Sequence, residues 1–229
     1  EDVLDEEGNV IGQKEADDIS KGYFIGHALD EKWGYKFLGV WQENEAEEAA
    51  KYNQVPGDPK LLDVDQNYKY NNDDKVFLGN TTPKVRWNMR NEFTLFKNWN
   101  FSFSMYSYLG HVKTMVSFHQ TAIALLNVTN SIVREYWTPE NPINEYPRLK
   151  AQAPVSYSIY KNASFLRFDN ISLGYSFPKA MIQRLKIQAL SLNLTLKNVG
   201  VISGWPAYDP ENSDANTPRT LLFGLNMTL

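Results

Sequence analysis

The sequence predicts an all-β chain built as part of the wall of a large antiparallel transmembrane β-barrel. Three observations predict it. Five segments alternate apolar and polar residues at period two, their polar rows are mainly Ser, Asn, Thr and Gly, and the links between them alternate short with long. Side chains alternate across a strand, so each segment presents one row to each side. A soluble sandwich alternates in the same way, but its water-facing row usually carries many Lys and Glu. A barrel in lipid needs an apolar outer row and accepts small polar groups inside.

In chain order, residues 86–96 set Trp87, Met89, Asn91, Phe93 and Leu95 against Arg86, Asn88, Arg90, Glu92, Thr94 and Phe96. Residues 99–108 set Trp99, Phe101, Phe103 and Met105 against Asn100, Ser102, Ser104 and Tyr106. In 171–177, Ile171, Leu173, Tyr175 and Phe177 oppose Ser172, Gly174 and Ser176. In 190–197 every even position is Leu, against Ser191, Asn193, Thr195 and Lys197. Residues 219–229 place Leu221, Phe223, Leu225, Met227 and Leu229 on one side; Thr220, Leu222, Gly224, Asn226 and Thr228 fall on the other.

The links follow their own rule. Lys97-Asn98 forms a two-residue turn in which Asn tolerates positive φ, and 178–187 makes a second compact link. The stretches 109–164 and 199–218 are long. Short turns on one side and long loops on the other match an outer-membrane barrel with its short turns in the periplasm. The long stretches, and 42–84 with them, then lie outside the cell. Trp41, Trp87, Trp99, Tyr106, Tyr108, Tyr175 and Phe177 sit near strand ends, where interfacial girdles lie.

Composition bounds the alternatives. The length of 229 residues suits one large domain or two small ones. A net charge of −4 gives no nucleic-acid footprint. The lack of cysteine removes disulfides and thiolate metal sites. Mean hydropathy of −0.47 excludes a helical membrane protein. Residues 115–133 lack charge but contain His119, Gln120, Asn127 and Asn130, and read as a helix packed within a long loop. Glu43, Glu45, Glu47 and Glu48 read as the solvated face of a short loop helix. With no signal peptide or initiator Met, the chain opens in an acidic loop and is expected to be part of a longer one.

A series of short motifs runs through the chain: Gly34-Tyr35, Gly39-Val40-Trp41-Gln42, Pro56-Gly57-Asp58, Asp63-Val64-Asp65 and Leu78-Gly79-Asn80-Thr81-Thr82-Pro83-Lys84. Trp137-Thr138-Pro139-Glu140-Asn141-Pro142 and Tyr146-Pro147-Arg148-Leu149 follow, then the run 164–178 containing Phe165-Leu166-Arg167-Phe168-Asp169-Asn170. Lys197-Asn198, Tyr208-Asp209-Pro210-Glu211 and Pro218-Arg219-Thr220 complete it. In order and spacing these residues, from about 22 to the end, resemble the C-terminal part of the barrel of SusC/RagA-type TonB-dependent outer-membrane transporters. The resemblance implies that residues 1–229 are a C-terminal barrel segment, with earlier strands and an N-terminal plug in the remainder of the transporter chain. Five or six strands cannot close such a barrel, and an open edge in lipid is not tolerated. It also implies TonB engaged through the N-terminal region, a SusD-like surface lipoprotein as partner, and residence in the bacterial outer membrane.

The 63–74 loop carries the one constellation with ligand chemistry. Asp63, Asp65, Asn67, Asn71 and Asp74 place oxygens at positions 1, 3, 5, 9 and 12, the order of an EF-hand-type calcium loop. Position 6, where the chain must turn sharply, is Tyr68 rather than Gly, and position 12 is the shorter Asp; a solvated acidic turn is the other reading. In the family resembled, this segment commonly carries an Asp-x-Asn-x-Asp-Gly pattern, from which this chain departs. Trp137, Trp205 and Tyr208 are candidate sugar-stacking residues, with packing of their own loops as the alternative. His27, His111 and His119 lack metal-ligand spacing, and the Asn-x-Ser/Thr triplets are read as a by-product of alternation in the polar rows.

Three functions remain open. The resemblance implies a non-enzymatic transporter component that imports a bulky nutrient, a glycan or oligosaccharide or a peptide, with a structural Ca²⁺ as the sole candidate cofactor. A passive or structural outer-membrane barrel is the second reading. A soluble β-sandwich lectin or hydrolase is the third.

Overall fold

The computed structural model describes residues 2–4, 8, 10–13, 15–114, 135–212 and 215–229. The strands are β1 (Asp2–Leu4), β2 (Val10–Gln13), β3 (Glu31–Tyr35), β4 (Phe37–Val40), β5 (Pro59–Leu61), β6 (Lys75–Asn80), β7 (Val85–Leu95), β8 (Trp99–Leu109), β9 (Val112–Thr114), β10 (Tyr160–Asn162), β11 (Phe165–Ser176), β12 (Ala189–Ser203) and β13 (Thr220–Thr228). Helix α1 (Ala46–Lys51) and helix α2 (Lys179–Ile182) are short. Contacts divide the chain into a unit of residues 1–81 and 112–161, and one of 82–111 and 162–229.

The second unit holds all five alternating segments in one antiparallel sheet, ordered β13-β12-β11-β8-β7. Register aligns their apolar rows. Phe223, Leu194, Leu173, Phe101 and Phe93 stand side by side across the five strands, with Leu225, Leu192, Tyr175, Trp99 and Leu95 beside them. The opposite face carries Gly224, Asn193, Gly174, Asn100 and Thr94 in one row, and in the next Ser172 Oγ meets Thr195 Oγ1 at 2.8 Å. Among the described residues no second layer covers the apolar face: Leu221 is 66 % exposed and Phe223 71 %. A sandwich would cover such a face, because each large apolar side chain left in water forgoes roughly 1.5–3 kcal/mol. This sheet is the wall of a partial barrel, not half of a sandwich.

Two boundaries differ from the sequence reading, for one reason. β11 begins at Phe165 and β12 runs on to Ser203, well beyond the segments 171–177 and 190–197. A bulge lies between: Phe168 pairs with Gly200 but Asn170 with Lys197, and Asn198 takes φ 51°. The extra residue on β11 inverts its alternation past the bulge, whereas β12 keeps its parity, Leu196 and Gly200 sharing a face, and its apolar row is interrupted at Asn198 and Gly200. The hairpin link also differs. Leu95 pairs with Trp99 across three residues, and positive φ falls on Phe96 and Lys97. Asn98 instead ties the next strand, donating from Nδ2 to the Ser176 carbonyl at 2.6 Å and accepting from the Ser176 amide at 2.9 Å.

The first unit is made of two-stranded ribbons, β1 with β2, β3 with β6, β4 with β5, and β9 with β10, of which Asn162 falls in the second unit. The acidic run at 43–48 is helical, as its composition suggests: a 3-10 turn at Glu43–Glu45 leads into α1. Gly57, at φ 90°, lets the 56–58 turn pass beneath Trp137; a Cβ there would stand 2.5 Å from the indole. The region 115–133, read from sequence as a packed helix, lies outside the described residues.

Candidate functional site

In the first unit the family-like motifs, far apart in sequence, converge on Asp58. Its Oδ1 accepts from Arg148 Nε at 3.0 Å and from the Gln152 amide at 3.0 Å, and its Oδ2 from the Val55 amide at 3.1 Å. The Gly57 carbonyl accepts from the Arg148 amide at 2.9 Å, and Trp137 Nε1 donates to Gln42 Oε1 at 2.9 Å. Asp58 and Trp137 are buried. The cluster locks residues 135–152 onto the 40–58 segment.

A second convergence occurs at the loop end of the five-stranded sheet. Arg167 and Asp209, each 3 % exposed, pair at 2.5 Å from Nη2 to Oδ1. Arg167 Nη1 donates to Asn198 Oδ1 at 2.6 Å, and Thr217 Oγ1 donates to Asp209 Oδ2 at 2.9 Å. Glu211 Oε2 lies 3.3 Å from Arg167 Nε and accepts from Tyr106 Oη at 2.6 Å. Burial pushes the Asp209 carboxyl up. The Arg167 guanidinium, the Glu211 amide, the Thr217 hydroxyl and the Asn212 amide pull it down by more, to about 2. The bulge at Asn198 and the 204–219 connection are thus fastened to β11 by one arginine.

The 63–74 loop brings Asp63, Asp65 and Asp74 together, with one carboxylate oxygen of each within 4.8 Å of the others. Asn67 and Asn71 lie in the same loop, but their side-chain oxygens accept from the amides of Lys69 (2.8 Å) and Asp73 (2.6 Å). Asp74 is fully buried and accepts from the Val64 and Asn71 amides. Asp63 accepts from the amides of Gln66 and Tyr68 and from Tyr52 Oη at 3.1 Å. Burial raises its pKa, and these donors, with Asp65, bring it below the ordinary value. Tyr68 makes the sharp turn expected of glycine, at φ 63°, with Lys51 over its ring at 5.0 Å. Three carboxylates at this distance repel, and the amide donors offset part of that repulsion.

The aromatic candidates lie elsewhere. Trp137 packs over Gly57, Trp205 is buried and Tyr208 is half-buried, so neither indole opens a face to a sugar ring. A cavity of about 770 Å³ between Leu38, Gln42, Glu43, Lys60 and Asn144 is polar; the nearby Trp41 ring is covered by Lys60 at 4.4 Å. His27 Nδ1 sits 2.8 Å from Glu31 Oε2, His111 is buried, and His119 falls outside the described residues.

The chain is similar in sequence to curated receptors and in fold to part of a solved transporter. The chain is 24 % identical over 242 residues to TonB-dependent receptor P3 of Formosa agariphila, which covers 92 % of it and 24 % of that protein. Receptors P26 and P39 of the same organism are each 25 % identical, covering 89 % and 83 % of the chain. The chain spans about a quarter of the length of the curated relatives it matches. Among solved structures, it superposes on part of the RagAB peptide transporter with a TM-score of 0.62 at 17 % identity, over 86 % of this chain and 22 % of that one. The open-open state of the RagAB peptide importer gives 0.60 at 15 % identity, over 90 % and 24 %. No family model matches the chain.

Proposed function

We infer that this chain, SusC/RagA-like in sequence and fold, forms a length of barrel wall in a TonB-dependent outer-membrane transporter. The observation that carries the inference is the sheet of the second unit, apolar and uncovered on one face and small and polar on the other. Its apolar face meets outer-membrane lipid and its polar face the lumen. The edges along β7 and β13 pair with strands from the remainder of the transporter chain, which also supplies the plug and the segment that TonB engages. The chain leaves β8 and β12 at the same end of the sheet, opposite the 96–98 and 177–188 links, and on this reading that end is the outer mouth.

The cargo on this reading is a bulky nutrient, a glycan or a peptide, and a SusD-like lipoprotein covers the outer mouth. The RagAB peptide transporter, to part of which the chain is similar in fold, supports this kind of cargo and pairing. Purifying the intact transporter at native abundance should bring the lipoprotein with it in detergent. Isolation without any companion, together with uptake indifferent to loss of TonB, would favour a passive barrel.

The Asp63, Asp65 and Asp74 group is proposed as a structural Ca²⁺ site, with Asn67 and Asn71 available only if they release the amides they now hold. Calcium should slow protease cleavage in the 63–74 loop, and Asp65→Ala should abolish that protection. Cleavage unaffected by calcium or chelator would leave a self-capped acidic turn.

A further inference from the structure

On the polar face of the five-stranded sheet, at the end where the long connections begin, lies a cavity of about 430 Å³. Besides Trp87, which lies between two of them on β7, Arg86, Asn88, Tyr106, Tyr108 and Glu211 line it. Register places four of them: Arg86 is opposite Tyr108, and Asn88 is opposite Tyr106. The fifth, Glu211, arrives on the connection after β12.

The two charges in the wall are held differently. Glu211 is engaged by Tyr106 Oη at 2.6 Å and stands 3.3 Å from Arg167. Arg86 rests its guanidinium 5.2 Å from the centroid of the Tyr108 ring, a cation–π contact that steadies the group without using its hydrogen-bond donors. Among the described residues no carboxylate lies within ion-pair distance of it. A guanidinium is a planar fork of donors matched to a carboxylate. Here it faces a cavity of small-ligand size, walled by two phenol rings, whose one acidic side chain is already paired.

We propose that this cavity is a subsite for the carboxylate of an imported solute, bound by Arg86, with Tyr106 and Tyr108 flanking the unit that bears it. The proposal deepens the transport reading and rests on it for its position, since that reading puts this end of the sheet at the outer mouth. The carboxylate has two plausible sources by chemistry: the C-terminus of a short peptide, or the uronic acid of an acidic saccharide.

Titrating the purified full-length transporter with matched probes tests this. The probes are trialanine and its C-terminal amide, and trigalacturonate and its methyl ester. One acid is expected to bind about tenfold more tightly than its neutral counterpart, the scale of a charge-assisted bidentate contact. Preference in the first pair identifies a peptide source, and in the second an acidic saccharide. Arg86→Gln should erase the preference, Arg86→Lys should retain part of it, and Lys97→Gln in the distant hairpin should leave it whole. Should Arg86→Gln fail to fold, the preference of the unmodified protein and of Arg86→Lys still decides. Equal affinity for acid and neutral forms in both pairs, or a preference that survives Arg86→Gln, overturns the subsite. TonB-dependent uptake of the acids and of their neutral counterparts to the same extent, indifferent to Arg86→Gln, would overturn it while leaving the transport reading intact. A retained acid preference without energised uptake would do the reverse.

Discussion

Arginine at Phe223 or Leu225 is expected to destabilise the intact transporter by about 2–4 kcal/mol, the cost of a charge on a lipid face near the bilayer midplane. Both side chains are exposed on the apolar face of β13, and each heads a row that crosses all five strands. Asn226→Arg, one residue on and on the polar face, should cost far less. Urea unfolding in phospholipid vesicles measures the difference. Equal penalties at 223 and 226 would contradict the assignment of the faces.

Removing Arg167 should have a comparable effect by another route. Arg167→Ala leaves Asp209 buried and unpaired beside Glu211, and breaking a buried pair from one side costs about 3–5 kcal/mol. The loss should appear as protease cleavage in the 204–219 connection, because Arg167, Asn198, Asp209 and Thr217 form one knot. Arg167→Lys, without the bidentate fork, should be intermediate. The knot also carries a pH signature. The Asp209 carboxyl titrates at about 2 in the folded protein and near 3.8 when released. Its folded value is depressed, so its contribution is fully present above pH 4 and disappears as pH falls toward 2. That contribution is about 2 kcal/mol. Protection of the connection should therefore be unchanged from pH 7 to pH 5 and collapse between pH 4 and pH 2; in Asp209→Asn this transition should vanish.

The sequence reading located all five strands of the sheet and both kinds of link, because a row of large apolar groups on one side and of small polar groups on the other makes a strict alternation. Its boundaries on the two longest strands fail at one place. The bulge between Phe168 and Asn170 inverts the parity of β11, so Phe165 and Arg167 share a face with Asn170 and Ser172. Period-two counting cannot cross such a point. The short ribbons of the first unit were also missed: their strands are three to six residues long, too few to show a period.

The site was legible in a different sense. Arg167, Asn198, Asp209 and Glu211 all stood within the family-like motifs, as did Gln42, Gly57, Asp58, Trp137 and Arg148. What the motifs did not disclose was the pairing. Asp58 meets Arg148 across 90 positions and Arg167 meets Asp209 across 42, and nothing local in a sequence matches an arginine to its aspartate. The 63–74 loop was legible in more detail, since the three aspartates that its spacing selected do come together. Its departure from glycine at position 6 was legible too, but not its resolution, a tyrosine held at positive φ against Tyr52 and Lys51. Trp137 and Trp205 illustrate the opposite limit: an aromatic in a long loop looks the same in sequence whether it awaits a sugar or fills a core.

On the proposed reading the exposed apolar face of the five-stranded sheet meets lipid. Single cysteines at 223 and 224, introduced into the intact transporter and spin-labelled in vesicles, test it most directly. The label at 223 should be relaxed strongly by oxygen and weakly by a water-soluble nickel chelate, with the opposite order at 224. High nickel accessibility at 223, or the same profile at both positions, would contradict it.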